Sequence, residues 1–235
     1  NISNKPAGPV LAKLNPSIEK IDLKTMISTS MNYRFNKTEM GFFLKDPKFF
    51  KLYSKSQAEK KMLETVPRRL SENASKYLRA VLILSEKHQV DPFWVFSVMW
   101  TESHFHFESR SIVGARGLMQ IMPATKKFIY RNVKRRGDIL AIESKDFNLN
   151  EFFPYKVPLS EYKIHQSKLL NIELGIIYLK SLLKFFSKNH TYATVAYNMG
   201  PGWTRKRLRN KLPVGVKNEY LDKVQKAYKT LVHRI

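Results

Sequence analysis

The chain has 235 residues and a formal charge of +23, with 42 lysine and arginine residues against 19 aspartate and glutamate residues. Its hydrophobic fraction of 43%, with 15 phenylalanines and 11 tyrosines, is typical of a folded protein and excludes an intrinsically disordered chain. Since it contains no cysteine, disulfides, a thiol nucleophile and a cysteine-based metal site are excluded as well.

The first third of the chain carries the weakest structural signals. Residues 1–20 contain three prolines and are predicted to be extended, and residues 21–66 are predicted to form short helices around aromatic clusters. Pro67 separates this region from the rest. We therefore predict a basic N-terminal extension over residues 1–70, without an assigned role, and a main domain over residues 71–235.

From Ser71 onward, apolar residues recur at helical spacing and predict a mainly α fold. Ser71 is the predicted N-cap of a helix that reaches about His88, with an apolar face made of Ala74, Tyr77, Leu78, Val81 and Leu82. Asp91 and Pro92 predict the start of a second helix, because aspartate caps helix N-termini and proline fits the first turn. This second helix is apolar on nearly every face and is predicted to be central to the core.

Proline, glycine and helix-capping residues mark where the remaining predicted elements begin and end. They are a helix from Pro123 to about Val133, an irregular aromatic-rich surface excursion over residues 137–168, a long helix capped by Asn171, a short helix from Thr191 to Asn198, and a last helix with Tyr220, Leu221, Val224, Ala227, Tyr228 and Leu231 on one face. Few alternating patterns and no internal repeat are found.

Glu102 is a polar residue in the last turn of the second helix. On a helix it shares a face with Val95, Val98 and Met99. Apolar neighbours and the negative end of the helix dipole both favour a neutral carboxyl group, so a raised pKa is predicted. A glutamate that keeps its proton near neutral pH can act as general acid in glycosidic cleavage. The alternative is a glutamate that only marks the exposed end of the helix.

The alternation of Glu102, His104, His106 and Glu108 suggests a metal-site hypothesis. In an extended conformation all four side chains would point to one side and could bind a divalent metal ion. No partner ligand with a recognised spacing occurs elsewhere in the sequence. A loop lined by two histidines is the favoured interpretation, and neither a metal nor another cofactor is predicted.

Three blocks of sequence resemble the soluble lytic transglycosylase domain, which is related to goose-type lysozyme. In chain order they are Glu102-Ser103 with Ser111 and GARGLMQIMPAT at residues 114–125, NIELG at 171–175 with YLK at 178–180, and AYNMGPG at 196–202. The resemblance covers about residues 71–235. It implies a mainly α, lysozyme-like catalytic domain.

The resemblance also implies an activity, which is cleavage of the β-1,4 bond between N-acetylmuramic acid and N-acetylglucosamine in peptidoglycan. In that family the glutamate of the Glu-Ser pair is the sole catalytic acid and base, a role that falls to Glu102. It would protonate the glycosidic oxygen and then accept the proton of the muramoyl C6 hydroxyl, which closes a 1,6-anhydro ring. Because no water enters, a second catalytic carboxylate is not required.

The matched positions imply a set of substrate-binding residues along a glycan groove: Ser103, Ser111, Gln120, Met122, Tyr197 and Asn198. Gln120 can donate and accept hydrogen bonds with sugar amides, and Met122 offers an adaptable apolar wall. Tyr197 matches the tyrosine whose hydroxyl lies close to the catalytic glutamate in that family. Core packing is the alternative role for Met122 and Tyr197.

Two features depart from the family pattern. Family members often place an acidic residue four positions before the tyrosine that matches Tyr220, where this chain has Val216, and Glu219 is the candidate replacement. The stretch between Thr125 and Asn171 is also longer than usual, and it is expected to cover part of the groove.

The positive charge is spread along the chain, with 14 basic and 6 acidic residues in 1–70 and 28 and 13 in 71–235. Its densest clusters are Arg131, Lys134, Arg135 and Arg136, and Arg205, Lys206, Arg207, Arg209 and Lys211. Such a surface attracts polyanions. The implied partner is the substrate, the glycan strands of peptidoglycan. We interpret the positive charge as attraction to the stem-peptide carboxylates of peptidoglycan, to an anionic membrane surface or to cell-wall machinery. Nucleic acid is the weaker interpretation, since no nucleic-acid motif accompanies the charge.

The expected location is the bacterial cell envelope, in the periplasm or attached to the outer membrane, or outside the cell. No run of residues is long and apolar enough for a transmembrane helix. The chain starts at Asn1 without a signal-peptide segment, so an export signal is expected to have been removed.

Three other functions stay open at the level of the sequence. A hydrolytic muramidase on the same fold would need a positioned water and a second acid such as Glu108 or Asp138. The others are a non-catalytic peptidoglycan-binding protein and a basic nucleic-acid binder.

Overall fold

The computed structural model describes residues 55–136 and 140–233, and these residues form eight α-helices. The helices are α1 (Lys55–Thr65), α2 (Arg68–His88), α3 (Pro92–Ser103), α4 (Pro123–Arg136), α5 (Tyr162–Phe185), α6 (His190–Met199), α7 (Pro201–Arg209) and α8 (Glu219–His233). Strand pairing within the described residues is limited to isolated bridges of Arg116 with Arg110 and with Ile121. The predicted mainly α fold is confirmed.

Helix α3 forms the centre of the core. Its residues 92–99 are all buried, as expected for a helix that is apolar on every face. It packs most extensively against α8, and it also contacts α2 and α5. Glu102 therefore stands at the end of the most enclosed helix of the described structure.

Asp91 fixes the start of α3 and joins it to α8. One carboxylate oxygen accepts hydrogen bonds from the backbone N–H groups of Phe93 at 2.8 Å and Trp94 at 3.3 Å. The other oxygen accepts a hydrogen bond from the Tyr228 hydroxyl at 2.7 Å. The predicted helix start at Asp91-Pro92 is confirmed, and the same cap aligns α3 with the helix that completes the site.

Helices α2 and α6 start earlier than predicted. Helix α2 begins at Arg68, directly after Pro67, because proline is accommodated just before a first helical turn. Ser71 therefore lies inside α2 and is not its N-cap. Helix α6 is capped by Asn189, whose side chain accepts a hydrogen bond from the Tyr192 N–H at 2.9 Å.

The segment between α4 and α5 is irregular, as predicted, and many of its residues are exposed, but several of its apolar residues are buried in the core and residues 162–168 of the predicted excursion belong to α5. It contains three single 3₁₀ turns, Ala141–Glu143, Leu149–Glu151 and Leu159–Glu161. Its buried residues include Leu140, Ile142, Leu149, Phe152, Phe153 and Val157. Of the aromatic residues that suggested a surface loop, Phe152 and Phe153 are buried, and Phe153 packs on His165 of α5 with ring centroids 4.6 Å apart, whereas Tyr155 is exposed. Residues 137–139 lie outside the described part.

Glu173 of α5 attaches that segment to the core. Its side chain is 0% exposed and accepts hydrogen bonds from the backbone N–H groups of Ala141 at 2.6 Å and Ile142 at 3.4 Å. His88 Nε2, at the end of α2, lies 2.8 Å from the same carboxylate. A buried carboxylate is tolerated when hydrogen bonds replace its hydration, and here they hold the segment in place.

The two ends of the described structure bear on the remaining predictions. Helix α1 packs against α2 with Met62, Thr65 and Val66 buried, while residues 1–54 lie outside the described part. The division at residue 70 stays a prediction. In α8 the predicted apolar face is confirmed, since Leu221, Val224, Ala227, Tyr228 and Leu231 are buried. Within the described residues, each helix is too short or too polar to span a bilayer.

Candidate active site

Glu102 lies where the core helix α3 reaches the protein surface. Its side chain is half-buried, between the buried Ser103 and the last apolar turn of the helix. Burial raises the pKa of the Glu102 carboxyl from its ordinary value of 4.5 to about 7, although a hydrogen bond from Tyr220 acts in the opposite direction. The predicted rise in pKa is confirmed, with desolvation as its cause. Near neutral pH the group can both give and take a proton.

Tyr220 is the direct partner of Glu102. Its hydroxyl donates a hydrogen bond to Glu102 Oε1 at 2.6 Å. Tyr220 is the second residue of α8, and the packing of α8 on α3 brings the hydroxyl to the carboxylate. Burial, together with the nearby Glu102, raises the pKa of the Tyr220 hydroxyl well above 10, so it remains a donor at physiological pH. Helical periodicity places Tyr220 on the apolar face of the last helix and gives no sign of this contact.

Tyr197 lies near Glu102, but its hydroxyl has a different partner. The hydroxyl donates to the Met119 carbonyl at 2.7 Å, and the ring lies 5.3 Å from the ring of Tyr178. Burial raises the pKa of the Tyr197 hydroxyl well above 10, and the charge of Glu102 adds to this rise. Tyr197 therefore fixes the loop between α3 and α4, beside Glu102, while the hydrogen bond to Glu102 comes from Tyr220.

Asn171 also holds the loop between α3 and α4, which contains Gly114 and Gly117. Its side-chain oxygen accepts a hydrogen bond from the Met119 N–H at 2.8 Å, and its amide donates to the Arg116 carbonyl at 3.0 Å. Asn171 was predicted to cap a helix, but it lies well inside α5. The prediction was wrong because an asparagine before an apolar run resembles a cap. Its position inside the NIELG block was the available signal for another role.

Ser111 and Gln120 shape the same loop through backbone contacts. The Ser111 hydroxyl oxygen accepts a hydrogen bond from the Ala115 N–H at 2.9 Å. The Gln120 amide nitrogen donates to the carbonyls of Ser109 and Gly117, each at 2.9 Å. Gln120 itself has a φ of +44°, which these two bonds help to hold. Both residues are half-buried, so each also has surface to offer a ligand.

The other predicted substrate-binding residues are spread around the site. The Ser103 hydroxyl donates to the Met99 carbonyl at 3.2 Å and the residue is 5% exposed, so its side chain is used within α3. Met122 is half-buried directly before α4, and Asn198 is exposed near the end of α6. The binding roles of these residues stay predictions.

The metal-site hypothesis required an extended chain, which the structure does not have. Glu102 is helical, and His104 and Phe105 have φ values of +49° and +65°. Phe105 is 1% exposed and packs on Phe96, with ring centroids 4.7 Å apart. Within residues 55–136 and 140–233, no three His, Asp or Glu side chains are grouped as metal ligands. Of the two candidate second acids, Glu108 is exposed and Asp138 lies outside the described residues.

The departure at Val216 is visible at the surface. Val216 is 66% exposed, and it precedes Tyr220 on the loop that leads into α8. Glu219, the candidate replacement, has a side chain that is 90% exposed and lies 3.9 Å from Lys223 Nζ. Its carboxylate is thus directed along the surface of α8, to the next turn.

The contact of the Asn171 side chain with the loop between α3 and α4 predicts that two glycine substitutions in this loop differ in their effect on stability. Gly114 and Gly117 both have positive φ, +89° and +79°, but a Cβ at Gly114 would meet nothing within 4 Å, whereas one at Gly117 would lie 2.5–2.8 Å from the Asn171 side chain. Gly114→Ala is expected to lower the free energy of unfolding by about 1 kcal/mol through backbone strain alone. Gly117→Ala should lower it by about 2 kcal/mol or more. Urea unfolding followed by circular dichroism measures both, and equal losses would contradict the role given to Asn171.

The chain is similar to a known protein family and to several of its members. The sequence profile described as "Transglycosylase SLT domain" matches residues 79–147 and 155–218. A soluble lytic murein transglycosylase of Salmonella typhimurium is 30% identical over 122 residues, which are 50% of this chain and 15% of that protein. A membrane-bound lytic murein transglycosylase C of Yersinia enterocolitica is 30% identical over 186 residues, which are 72% of this chain and 50% of that protein. The chain thus spans half or less of the length of these relatives.

Two solved structures superpose on part of this chain. One is an inactive mutant of the lytic transglycosylase Slt from Pseudomonas aeruginosa, with 25% identity and a TM-score of 0.47 over 66% of this chain and 23% of that one. The other is the 70-kDa soluble lytic transglycosylase of Escherichia coli, with 22% identity and a TM-score of 0.45 over 64% of this chain and 23% of that one.

Proposed function

Because this chain belongs to the transglycosylase SLT domain family, we propose that it cleaves peptidoglycan glycan strands by lytic transglycosylation. The observation that carries the proposal is Glu102, whose pKa is about 7. It lies beside the loop between α3 and α4, and the sequence of this loop resembles the family block that lines the glycan groove. Burial at the end of a core helix produces this pKa, and a hydroxyl from a second helix orients the carboxyl group. This combination suits a single acid and base.

In the first step, the protonated Glu102 transfers its proton to the oxygen of the β-1,4 bond. The bond between that oxygen and C1 of N-acetylmuramic acid breaks, and the N-acetylglucosamine side leaves as an alcohol. Positive charge develops at C1, where the substrate's own N-acetyl oxygen assists. Glu102 is now a carboxylate, and the Tyr220 hydroxyl stabilises that charge through a charge-assisted hydrogen bond.

In the second step, the Glu102 carboxylate accepts the proton of the muramoyl C6 hydroxyl. Oxygen O6 then forms a bond to C1 and closes the 1,6-anhydro ring. Glu102 ends the cycle protonated, and no water is consumed. One carboxyl group therefore performs both proton transfers, which is efficient because its pKa of about 7 lies near the working pH.

The proposed substrate also fits the charge of the protein. Peptidoglycan stem peptides carry carboxylates, and a charge of +23 attracts such a polyanion over a distance comparable to the Debye length. The proposed location is accordingly the cell envelope, where this substrate occurs. The substrate-binding roles of Ser111, Gln120, Met122, Tyr197 and Asn198 are part of the same proposal.

The test of the proposal is the chemical nature of the cleavage products. Purified protein is incubated with peptidoglycan sacculi, and the released muropeptides are analysed by mass spectrometry. We expect products that end in 1,6-anhydro-N-acetylmuramic acid. Reducing ends, which are heavier by one water, would instead identify a hydrolytic muramidase, and the absence of soluble products would favour a binding protein.

Removing the Tyr220 hydroxyl is expected to shift the pH dependence of the reaction. The hydrogen bond from Tyr220 lowers the pKa of Glu102, so in Tyr220→Phe that pKa should rise above about 7. Glu102 must begin protonated, and the decline in kcat/KM at alkaline pH should therefore move to higher pH. At the optimum the rate should fall by roughly tenfold, since one charge-assisted hydrogen bond is lost.

Tyr197→Phe is the matched control for this experiment. It removes a hydroxyl that donates to the Met119 carbonyl and not to Glu102. The rate is measured on the same sacculi by loss of turbidity, and the alkaline decline in kcat/KM should occur at the same pH as in the wild type. Equal shifts in both variants, or a shift in neither, would contradict the role of Tyr220.

A further inference from the structure

A cavity of about 860 Å³ lies between α4, α5 and the end of α2. It contains none of the residues assigned to the candidate active site. Its volume is within the range typical of ligand sites, which is roughly 300–1,000 Å³. The cavity is therefore large enough to hold a ligand. The residues that line it indicate the chemical class of that ligand.

The polar part of the lining is basic. Five lysine and arginine side chains contribute to it, together with His88: Lys87, Arg135, Arg136, Lys180 and Lys184. Among the described lining residues there is no aspartate or glutamate. The nearby Glu173 is buried behind His88, and backbone N–H groups of the segment that follows α4 also bind it. A ligand with a negatively charged group is thus favoured.

The rest of the lining is largely apolar. It consists of Phe128, Ile129, Val133, Leu140, Ile177 and Phe185, with Asn132 and Ser181 between them. Phe128 and Phe185 are 44% and 53% exposed, so they leave apolar surface at the opening of the cavity. A free phosphate ion or a nucleic-acid backbone would use the charges but would leave this apolar surface in water.

The basic surface continues from the cavity onto α7. Arg205 lies over the ring of Phe185, with its guanidinium carbon 5.9 Å from the ring centroid. Lys206 and Arg209 follow on the same helix and are exposed. Exposed aromatic rings surrounded by lysine and arginine are typical of surfaces that lie at the membrane interface, where the cations meet anionic headgroups.

From this lining we propose that the cavity binds an anionic phospholipid of a membrane surface. The phosphate is held by the lysine and arginine side chains at the opening, and an acyl chain lies against the apolar side chains of α4 and α5. Lipid binding here attaches the domain to a membrane while leaving Glu102 free. The inference does not depend on the proposed reaction.

The test is co-sedimentation of the full chain with lipid vesicles. Vesicles of phosphatidylcholine alone are compared with vesicles that also contain phosphatidylglycerol, and the wild type should bind only the second. Lys180→Glu combined with Lys184→Glu is expected to weaken binding by at least about tenfold. Both side chains are exposed, so the fold should be retained, and circular dichroism checks this.

A control with the same change in charge separates the cavity from general electrostatics. Lys223→Glu combined with Lys226→Glu reverses two exposed lysines of α8, and it should change binding by less than about threefold. Equal losses in the two double variants would overturn the proposal. A loss of binding to duplex DNA, with unchanged vesicle binding, would assign the charges to nucleic acid instead.

A second pair of variants tests the apolar part of the cavity. Phe185→Ser should weaken vesicle binding by about fivefold, because it removes apolar surface that would be buried against the acyl chain. Leu159→Ser changes a residue that is 90% exposed outside the cavity, and it should have no effect. If Phe185→Ser also has none, the charges alone attract the membrane and the cavity holds no lipid. Peptidoglycan cleavage by Phe185→Ser and Leu159→Ser, which leave the charge of the protein unchanged, should stay at the wild-type rate.

Discussion

Glu102→Gln is expected to lower the rate of release of anhydro-muropeptides from sacculi by at least about 10³-fold, because the side chain performs both proton transfers. The substitution keeps the size of the group and an oxygen that can accept the Tyr220 hydrogen bond. It removes the proton that the leaving oxygen needs and the base that the C6 hydroxyl needs. Binding to sacculi should be retained, because the substitution removes only the acidic proton and keeps the contacts of the side chain. Release is measured by chromatography of the soluble products.

Glu108→Gln is the matched control, since it makes the same chemical change six residues further along the chain. Glu108 is exposed, and a mechanism with a single glutamate predicts a rate within about twofold of the wild type. A large loss in Glu108→Gln would indicate that two carboxyl groups are needed, as in a hydrolytic muramidase. Unchanged release by Glu102→Gln would remove Glu102 from the mechanism altogether.

Local sequence rules predicted the element that carries the catalytic candidate. Asp91 and Pro92 start α3 as expected, and burial does raise the pKa of Glu102. These features depend on residues within two turns of each other. They could therefore be inferred from helical periodicity and from the effect of desolvation on a carboxyl group.

Features that depend on distant pairs were missed. Tyr220 reaches Glu102 across 118 positions of the chain, and Asn171 reaches Met119 across 52. Periodicity places each of these residues on a helix but does not say which helix packs beside it. The attachment of the segment after α4 to the core was missed for the same reason, because the buried carboxylate of Glu173 that fixes it lies on α5. The matched sequence blocks marked Asn171 and Glu173 as notable without giving their contacts.

Glu102→Gln is also expected to stabilise the folded protein at alkaline pH, in contrast to its effect on activity. The carboxyl group has a pKa of about 7 in the folded protein and an ordinary value of 4.5. Below pH 4.5 it is protonated in both the folded and the unfolded state, so the wild type and the variant should differ little. Between pH 4.5 and 7 the unfolded chain ionises this group while the folded protein keeps it protonated, so the free energy of unfolding of the wild type falls relative to the variant. Above pH 7 the group is ionised in both states, and the difference stays constant.

The expected difference at pH 8 is roughly 3 kcal/mol in favour of Glu102→Gln, which is the free-energy equivalent of the change in pKa. Urea unfolding at pH 4, 6 and 8 measures it, and subtracting the two proteins removes the titration of all other groups. Glu108→Gln, which changes an exposed carboxylate, should show no such dependence on pH. A glutamate that served only the fold would give the opposite sign, because its loss would destabilise the protein most where it is charged. If the difference in free energy of unfolding between Glu102→Gln and the wild type is constant with pH or has the opposite sign, the raised pKa of Glu102 does not destabilise the fold. The interpretation of Glu102 as a residue kept for proton transfer would then be contradicted.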